Sequence, residues 1–221
     1  MRHSHKIGAR LNRTPKGKPV RPSLRGIKNE AMSCRRCGIW QCGGEVVFGE
    51  GPRHARLIMV GEQPGDVEDR LHRPFVGPAG KVLDEAIEAA GLSRQNVYLT
   101  NAVKHFKFRL RGKRRMHQRP TAGEIDICKW WLWQEIRVIR PRLVVALGAT
   151  AVRAVTGKSL AIGRHRGKVL SIDDQISMMI TIHPSYILRQ RDSQARAKFQ
   201  QILVNDLVTA RIFLSSATET T

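Results

Sequence analysis

The chain has 221 residues, 41% of them hydrophobic, which is enough for one sizeable packed domain. Its 39 Lys and Arg residues outnumber 18 Asp and Glu residues, and the formal net charge of +21 favours a polyanionic partner such as nucleic acid. No apolar run is long enough to span a bilayer and no apolar signal segment begins the chain, so we expect neither a membrane protein nor an exported one.

The first part of the chain, residues 1–30, predicts a disordered basic arm. It contains nine Lys and Arg residues against one acid, Glu30, and few large apolar side chains. Such a segment buries too little surface to offset its ordering entropy. We expect the arm to add non-specific affinity for phosphates.

From Arg56 onward the pattern becomes α/β. Short apolar runs predict strands at 56–60, 97–100 and 142–148, followed by a last pair at KVLSI and SMMITI. Helical spacing or composition predicts helices at 78–91, 122–139, 149–157 and 193–213, and the basic segment 104–120 is predicted as a loop. The alternation implies a mostly parallel sheet covered on both faces. The loops GEQPG, NAVKH, GAT and HPS each begin where a strand ends, so their polar residues should converge on one rim of the sheet.

The cysteines indicate a metal site. Cys34 and Cys37 form a CxxC pair, and Cys128 is a candidate third ligand, because thiolates at this spacing can point to one centre. The alternative for Cys42 and Cys128 is an inert buried thiol. The spacing does not distinguish zinc from an iron–sulfur cluster, and the fourth ligand stays open between Cys42 and His105.

The loops GEQPGD and PFVGPAG combine glycines with functional side chains. Two glycines allow backbone amides to approach a ligand, and Pro78 begins a helix whose N-terminus favours anions. Glu62, Gln63, Asp66 and Phe75 add acid, hydrogen-bonding and stacking groups. An ordinary strand-to-helix connection is the alternative for the glycines alone.

The basic stretch KRRMHQRP, residues 113–120, places His117 among Lys and Arg residues. Taken alone it is typical of a phosphate-binding loop, in which Arg115 would contact the substrate backbone. The competing interpretation is that the cations hold DNA while His117 performs chemistry. Asn101 and His183 lie at strand ends and are equally ambiguous on their own.

Together, the motifs GEQPGD, PFVGPAG, NAVKHFKF, KRRMHQRP, LGATA and HPS resemble the uracil-DNA glycosylase superfamily. Within it they are most similar to the iron–sulfur family-4-like group, and there to the X-type branch that becomes covalently joined to DNA. The resemblance covers residues 31–213 and leaves 214–221 as a tail. It implies a three-layer α/β/α fold, a 4Fe–4S cluster and excision of uracil from DNA. We further expect a monomer in the bacterial cytoplasm, near the nucleoid, with single-stranded DNA as the preferred substrate.

The resemblance also assigns roles to residues. His117 matches the histidine that captures the deoxyribose carbon, Glu62 the acid that polarises water or the attacking group, and His183 the donor to uracil O2. The residues implied to bind substrate are Gln63, Asp66, Phe75 and Asn101. Arg115 of the basic stretch is a further candidate for substrate binding. The implied cluster ligands are Cys34, Cys37, His105 and Cys128.

A neutral imidazole is required for His117 to attack, and neighbouring cations such as Arg114, Arg115 and Arg119 disfavour its protonation. Two alternatives remain: a turnover glycosylase in which water is the nucleophile, and a non-catalytic iron–sulfur module that binds nucleic acid.

Overall fold

The structure, a computed structural model, describes residues 23–42 and 44–216. Of the expected basic arm, residues 1–22 lie outside the described residues. The remainder, 23–30, is not disordered, because Ser23 caps a helix whose residues Ile27 and Ala31 are buried. Within the described residues no helix is both long and apolar enough to cross a membrane.

The strands form one central sheet and one separate hairpin. Their bounds are β1 (Leu57–Gly61), β2 (Val97–Asn101), β3 (Phe108–Arg111), β4 (Arg114–His117), β5 (Leu143–Leu147), β6 (Val169–Ser171) and β7 (Ser177–Thr181). The central sheet has the order β2-β1-β5-β7-β6. All neighbours in it are parallel except β6, which pairs antiparallel with β7. The predicted mostly parallel sheet is therefore confirmed.

Eight α-helices are described, and most of them cover the sheet. Their bounds are α1 (Leu24–Met32), α2 (Asp66–Leu71), α3 (Pro78–Ala89), α4 (Ala122–Ile139), α5 (Ala149–Thr156), α6 (Ile162–His165), α7 (Pro184–Leu188) and α8 (Ser193–Ser215). The expected tail at 214–221 begins too early, because α8 continues to Ser215 and the Leu214 carbonyl accepts a hydrogen bond from Arg56. Residues 217–221 lie outside the described part.

The helices pack on both faces of the central sheet, and each face has its own hydrophobic layer. In β1, Ile58 and Val60 pack with α1, α4 and α5, whereas Leu57 and Met59 pack with α3 and α8. This alternation follows from the two-residue period of strand side chains. The result is the expected three-layer α/β/α fold, whose sheet is apolar on both faces.

The segment 104–120, predicted as a loop, contains the hairpin of β3 and β4. Two residues, Gly112 and Lys113, connect the strands, and Gly112 has a φ of 58°. Glycine reaches such a φ without steric cost, as short hairpin turns require. The hairpin register pairs Phe108 with His117 and Leu110 with Arg115. It therefore carries His117 at its last residue, beside the rim of the central sheet.

Candidate active site

A cavity of about 1100 Å³ opens at the carboxyl ends of the central strands. Its wall includes Glu62 after β1, Asn101 at the end of β2, Gly148 after β5 and His183 after β7. His117 reaches the same cavity from the hairpin. The strand-end loops thus converge on one rim, as their positions in the sequence predict.

Glu62 joins the sheet rim to the hairpin. Its Oε1 lies 3.3 Å from His117 Nε2, and its Oε2 accepts a hydrogen bond of 2.7 Å from Thr150 Oγ1. Burial alone would raise the pKa of Glu62, but the hydrogen bonds from His117 and Thr150 and the charges of His117 and His183 lower it below its usual value. Glu62 is therefore an ionised acceptor at neutral pH, while the His117 side chain remains 52% exposed.

His183 has a defined tautomer. The backbone N–H of Ser185 donates to its Nδ1 at 3.1 Å, so in the neutral ring Nε2 carries the hydrogen. Desolvation by the surrounding protein lowers the pKa of His183 to about 4, partly offset by the charge of Glu62. His183 is accordingly a neutral donor on the cavity wall across the pH range in which most enzymes work.

Phe75 and Asn101 share the space above Gly61. A Cβ placed on Gly61 would lie 2.3 Å from Asn101 Oδ1 and 2.6 Å from the Phe75 ring, so the missing side chain makes room for both. Phe75 has a φ of 56°, a left-handed conformation that non-glycine residues seldom adopt outside constrained sites. An aromatic ring and an amide are thereby held side by side at the cavity wall.

Gln63 borders the cavity, but its polar atoms are used by the protein. Its Nε2 donates to the carbonyl oxygens of Lys107 at 3.3 Å and Gln118 at 3.0 Å, and its Oε1 accepts from Lys107 N at 3.2 Å. These backbone groups flank the hairpin. Gln63 therefore ties the base of the hairpin to the loop after β1 while contributing to the cavity wall.

Arg115 does not present a free cation to solvent, as its assignment to the substrate backbone requires. Its guanidinium pairs with the carboxylates of Asp66 and Asp69 on α2, and also donates to the Asp66 carbonyl oxygen at 3.2 Å. It lies over the rings of Phe106 and Phe108, at 5.5 and 5.1 Å from their centroids. Arg115 and Asp66 clamp the hairpin to α2, and the charge of Arg115 is neutralised there.

Several exposed cations lie on the other face of the hairpin. The register places Arg109, Arg111 and Arg114 on the face opposite Arg115 and His117, and all three are exposed. Arg119 is exposed as well and borders the cavity itself.

Glu68 is a structural residue that the motifs did not identify. Its buried carboxylate accepts hydrogen bonds from Gly65 N at 3.1 Å and Gly77 N at 2.8 Å. These amides begin α2 and α3, so Glu68 occupies the positions that the glycines were expected to offer a ligand. A carboxylate three residues after a glycine at a helix start is the signal in the sequence that indicates such a contact.

Cys34 and Cys37 follow α1, and Cys128 lies on α4, close enough for both to affect its pKa. Trp131 Nε1 donates to Cys34 Sγ at 3.1 Å, and Lys104 N donates to Cys128 Sγ at 3.3 Å. Burial raises the pKa of Cys128 to about 12, and the charges of Cys37 and Cys34 add to that rise. Burial also raises the pKa of Cys37, again with a contribution from Cys34. Within residues 23–42 and 44–216, however, no three His, Cys, Asp or Glu side chains surround a single-ion position.

The two candidates for a fourth ligand differ in their surroundings. Cys42 Sγ contacts the Phe108 carbonyl oxygen of the hairpin at 3.8 Å. His105 is buried and follows Lys104, whose backbone amide donates a hydrogen bond to Cys128 Sγ. Burial lowers the pKa of His105, and the charge of Asp69 partly opposes that effect. Asp69 Oδ1 is itself buried with no hydrogen-bond partner among the described residues.

The amino-acid sequence of this chain is similar to the sequences of known proteins. Residues 48–207 match the family model described as the uracil DNA glycosylase superfamily. A type-4 uracil-DNA glycosylase of Thermotoga maritima is 34% identical over 85% of this chain and 93% of the relative. A type-4 uracil-DNA glycosylase of Sulfurisphaera tokodaii is 36% identical over 75% of this chain and 76% of the relative. A type-5 uracil-DNA glycosylase of Pyrobaculum aerophilum is 32% identical over 74% of this chain and 76% of the relative.

Proposed function

The chain belongs to the uracil-DNA glycosylase superfamily, and from that premise we propose that it excises uracil from DNA and then stays joined to the DNA through His117. The type-4 relatives support the glycosylase activity. One observation supports the covalent step above all others: His117 Nε2 lies 3.3 Å from Glu62 Oε1 at the cavity wall, on a side chain that is 52% exposed.

Substrate binding begins with a base outside the helical stack. Extruding a base from a duplex costs a few kcal/mol, whereas a single strand has no pairing to break, so we propose single-stranded DNA as the preferred substrate. Phe75 offers a face for stacking, worth about 1–3 kcal/mol per base, and Asn101 offers an amide for the base edge. The exposed arginines of the hairpin supply phosphate contacts.

Cleavage of the bond between uracil N1 and C1′ leaves the electron pair on uracil and positive charge on the sugar. His183 donates Nε2–H to the uracil anion as its charge develops, which is the kind of interaction that lowers a barrier. The ionised Glu62, which lines the same cavity, stabilises the positive charge on the sugar. Both groups act in the transition state more strongly than in the ground state.

Capture of the sugar completes the reaction. A ring nitrogen of His117 that carries no hydrogen forms the new bond to C1′, and the hydrogen on the other ring nitrogen passes to Glu62 or to solvent. A tethered nucleophile reacts at high effective molarity, so His117 outcompetes water. Alkylimidazole is a poor leaving group, and the adduct should therefore persist.

The second candidate is a turnover enzyme in which water attacks C1′. It is favoured by the low pKa of Glu62 and its hydrogen bond from Thr150, since an ionised, oriented carboxylate is suited to hold water. In that case His117 only positions the sugar. A non-catalytic nucleic-acid-binding module is the third alternative.

We also propose a 4Fe–4S cluster bound by Cys34, Cys37, His105 and Cys128. Soft thiolates fit iron–sulfur chemistry, and a cluster spreads its ligands more widely than a single ion does. Cys34 and Cys37 lie close enough to Cys128 to raise its pKa, and Cys128 accepts an amide hydrogen bond from Lys104; both observations support this set. When bound, the cluster would supply cross-linking of α1, α4 and the segment before the hairpin rather than a step of the reaction.

The test incubates the full chain with a radiolabelled single strand that contains one uracil, followed by denaturing electrophoresis. The expected result is a band of protein joined to DNA that survives hot detergent, together with release of one uracil per protein. Many turnovers to abasic DNA without an adduct would establish the hydrolytic alternative. Absence of both products, with DNA binding retained, would leave only the binding module.

A further inference from the structure

Lys104 lies at the centre of a buried polar network behind the cavity. Its side chain is 1% exposed and that of Glu135 on α4 is 0% exposed. Lys104 Nζ donates to Glu135 Oε2 at 2.5 Å, to Thr100 Oγ1 at 2.6 Å and to the Asn101 carbonyl oxygen at 3.0 Å. The three donors of the ammonium group therefore have three acceptors.

Glu135 is held equally firmly from its other side. Its Oε1 accepts hydrogen bonds from the Tyr98 hydroxyl at 3.1 Å and from Gly49 N at 3.0 Å. Thr100 Oγ1 donates to Oε2 at 2.9 Å. A fully satisfied network of this kind has one arrangement, because each alternative leaves a buried charge without a partner.

The turn that Lys104 closes contains the base-facing amide. Tyr98 and Thr100 point from β2 towards Glu135, so the alternation of strand side chains directs Asn101 to the opposite face, where it borders the cavity. Lys104 Nζ donates a hydrogen bond to the carbonyl oxygen of Asn101 itself. That hydrogen bond adds to the pairing of Asn101 with Gly61 in the sheet, and together they set the backbone position from which the Asn101 side chain extends.

Two further bonds attach this turn to the rest of the site. Val103 N donates to the Glu62 carbonyl oxygen at 3.0 Å, and Ala102 N donates to Gly61 O at 3.0 Å. At the end of the turn, Lys104 N donates to Cys128 Sγ at 3.3 Å. One short segment thus connects the amide, the catalytic carboxylate and a candidate cluster ligand.

We infer that Lys104 is a positioning residue for recognition of the base, acting through Asn101. This inference rests on the proposed function. Stability alone does not explain the pair, because apolar residues of similar volume often replace a buried ion pair without loss. The distinguishing feature is the third hydrogen bond. Ala102 N–H holds one end of the Asn101–Ala102 peptide group and Lys104 Nζ holds the carbonyl at its other end. Small misplacements of a binding group are costly to catalysis.

The test is a mutant cycle between Lys104 and Asn101. Lys104→Met is combined with Glu135→Gln, so that no charge is left buried, and single-turnover uracil release is measured in that double variant, in Asn101→Ala and in their combination. We expect the double variant to release uracil about 10²-fold more slowly than the wild type. The combination should be no slower than Asn101→Ala alone, because both changes disable the same amide.

A neutralised ion pair elsewhere on α4 provides the matched control. Arg153 on α5 pairs with Asp126 on α4 at 2.5 Å, and neither borders the cavity. Arg153→Met with Asp126→Asn should leave the rate unchanged. Its combination with Asn101→Ala should be as slow as Asn101→Ala alone for the simple reason that the control pair contributes nothing.

Every result of this experiment either supports or overturns the role of Lys104. A folded Lys104→Met/Glu135→Gln variant with the wild-type rate, or losses that multiply with that of Asn101→Ala, would overturn the inference and leave the proposed function intact. A wild-type protein that releases no uracil would overturn both. If circular dichroism shows the double variant unfolded, Lys104→Leu with Glu135→Met takes its place in the cycle, because it also removes the donor to the Asn101 carbonyl without burying a charge. The same two results then support or overturn the role of Lys104.

Discussion

His117 Nε2 lies 3.3 Å from Glu62 Oε1, and this contact joins the hairpin to the first strand of the central sheet. Glu62 follows β1 and is held on its other side by Thr150 of α5. The position of His117 over the cavity is therefore set by the hairpin, while the acid that faces it is set by the sheet. Substitutions in the hairpin and at the sheet rim should therefore have different, separately measurable effects.

Replacing His117 with Ser should abolish the detergent-stable adduct, because a hydroxyl is a much weaker nucleophile than a neutral imidazole. Uracil release should persist, with water as the acceptor of the sugar. The measurement is denaturing electrophoresis of protein and DNA beside an assay of free uracil. His54→Ser, at an exposed turn, is the matched control and should form the adduct normally. An undiminished adduct in His117→Ser would eliminate this residue as nucleophile.

Replacing His183 with Ala should slow release of uracil itself by about 10²–10³-fold, the usual effect of removing one donor to developing negative charge. The rate is measured in a single turnover with saturating protein. Adduct and free uracil should decline together, because both follow cleavage of the same bond. A variant with normal release would show that His183 serves the fold alone.

The stability of the protein should depend on His183 below neutral pH. In the unfolded chain the imidazole gains a proton near its usual pKa of 6.5, whereas in the folded protein that requires a pH of about 4. Between these values protons favour the unfolded state, so the free energy of unfolding falls as pH decreases from 6.5 to 4, by up to about 3 kcal/mol.

Urea unfolding of the wild type and of His183→Asn across this range checks that expectation. Titrating groups other than His183 are shared by both proteins and cancel in the comparison. The variant should lose less stability than the wild type between pH 6.5 and 4. Parallel curves would contradict a neutral imidazole that is desolvated by the fold.

Replacing Arg115 with Met should destabilise the protein by about 3 kcal/mol, because the buried carboxylate of Asp69 loses its partner. Arg114→Met is the control from the opposite face of the hairpin and should change stability by no more than about 0.5 kcal/mol. The order should be reversed for DNA binding, where Arg114→Met should have the larger effect. Arg114→Met should reduce the dependence of single-strand binding on salt by about 0.7 in slope, whereas Arg115→Met should leave that slope unchanged.

Iron content and visible absorption should identify the cluster ligands. The wild type should be brown, and Cys34→Ser, Cys37→Ser and Cys128→Ser should each lose iron and colour. Of the two contested positions, His105→Ala should lose the colour and Cys42→Ser should retain it. A colourless wild type that contains zinc would refute the iron–sulfur assignment, and the opposite result for the last two variants would transfer the fourth position to Cys42.

Patterns that repeat along one segment were predictable from the sequence. The apolar runs of β1, β2 and β5 and the helical spacing of α3 identified the sheet and its layers, since a buried parallel strand is apolar throughout. The convergence of Glu62, Asn101 and His183 followed from the geometry of parallel sheets rather than from any one residue.

Other features depend on pairing between distant segments. The hairpin has mostly exposed, charged side chains, so it lacks the apolar alternation by which strands are recognised. Its register decides that Arg115 faces α2 while Arg114 faces solvent, and register is invisible in a run of similar cations. The contact between Lys104 and Glu135 spans 31 residues of sequence, and no local pattern relates them.

The hairpin is attached to the loop after β1 mainly through Gln63 and to α2 through Arg115, and it shares no strand pairing with the central sheet. The groups proposed to break the glycosidic bond and the group proposed to capture the sugar thus belong to two parts of the fold that are joined by side chains and not by strand pairing. Under the proposed function, the fate of the product, whether released or retained, is decided on the smaller support. A change of a few hairpin residues would then convert a reusable catalyst into a single-use trap for a lesion, or the reverse, without altering how the lesion is recognised.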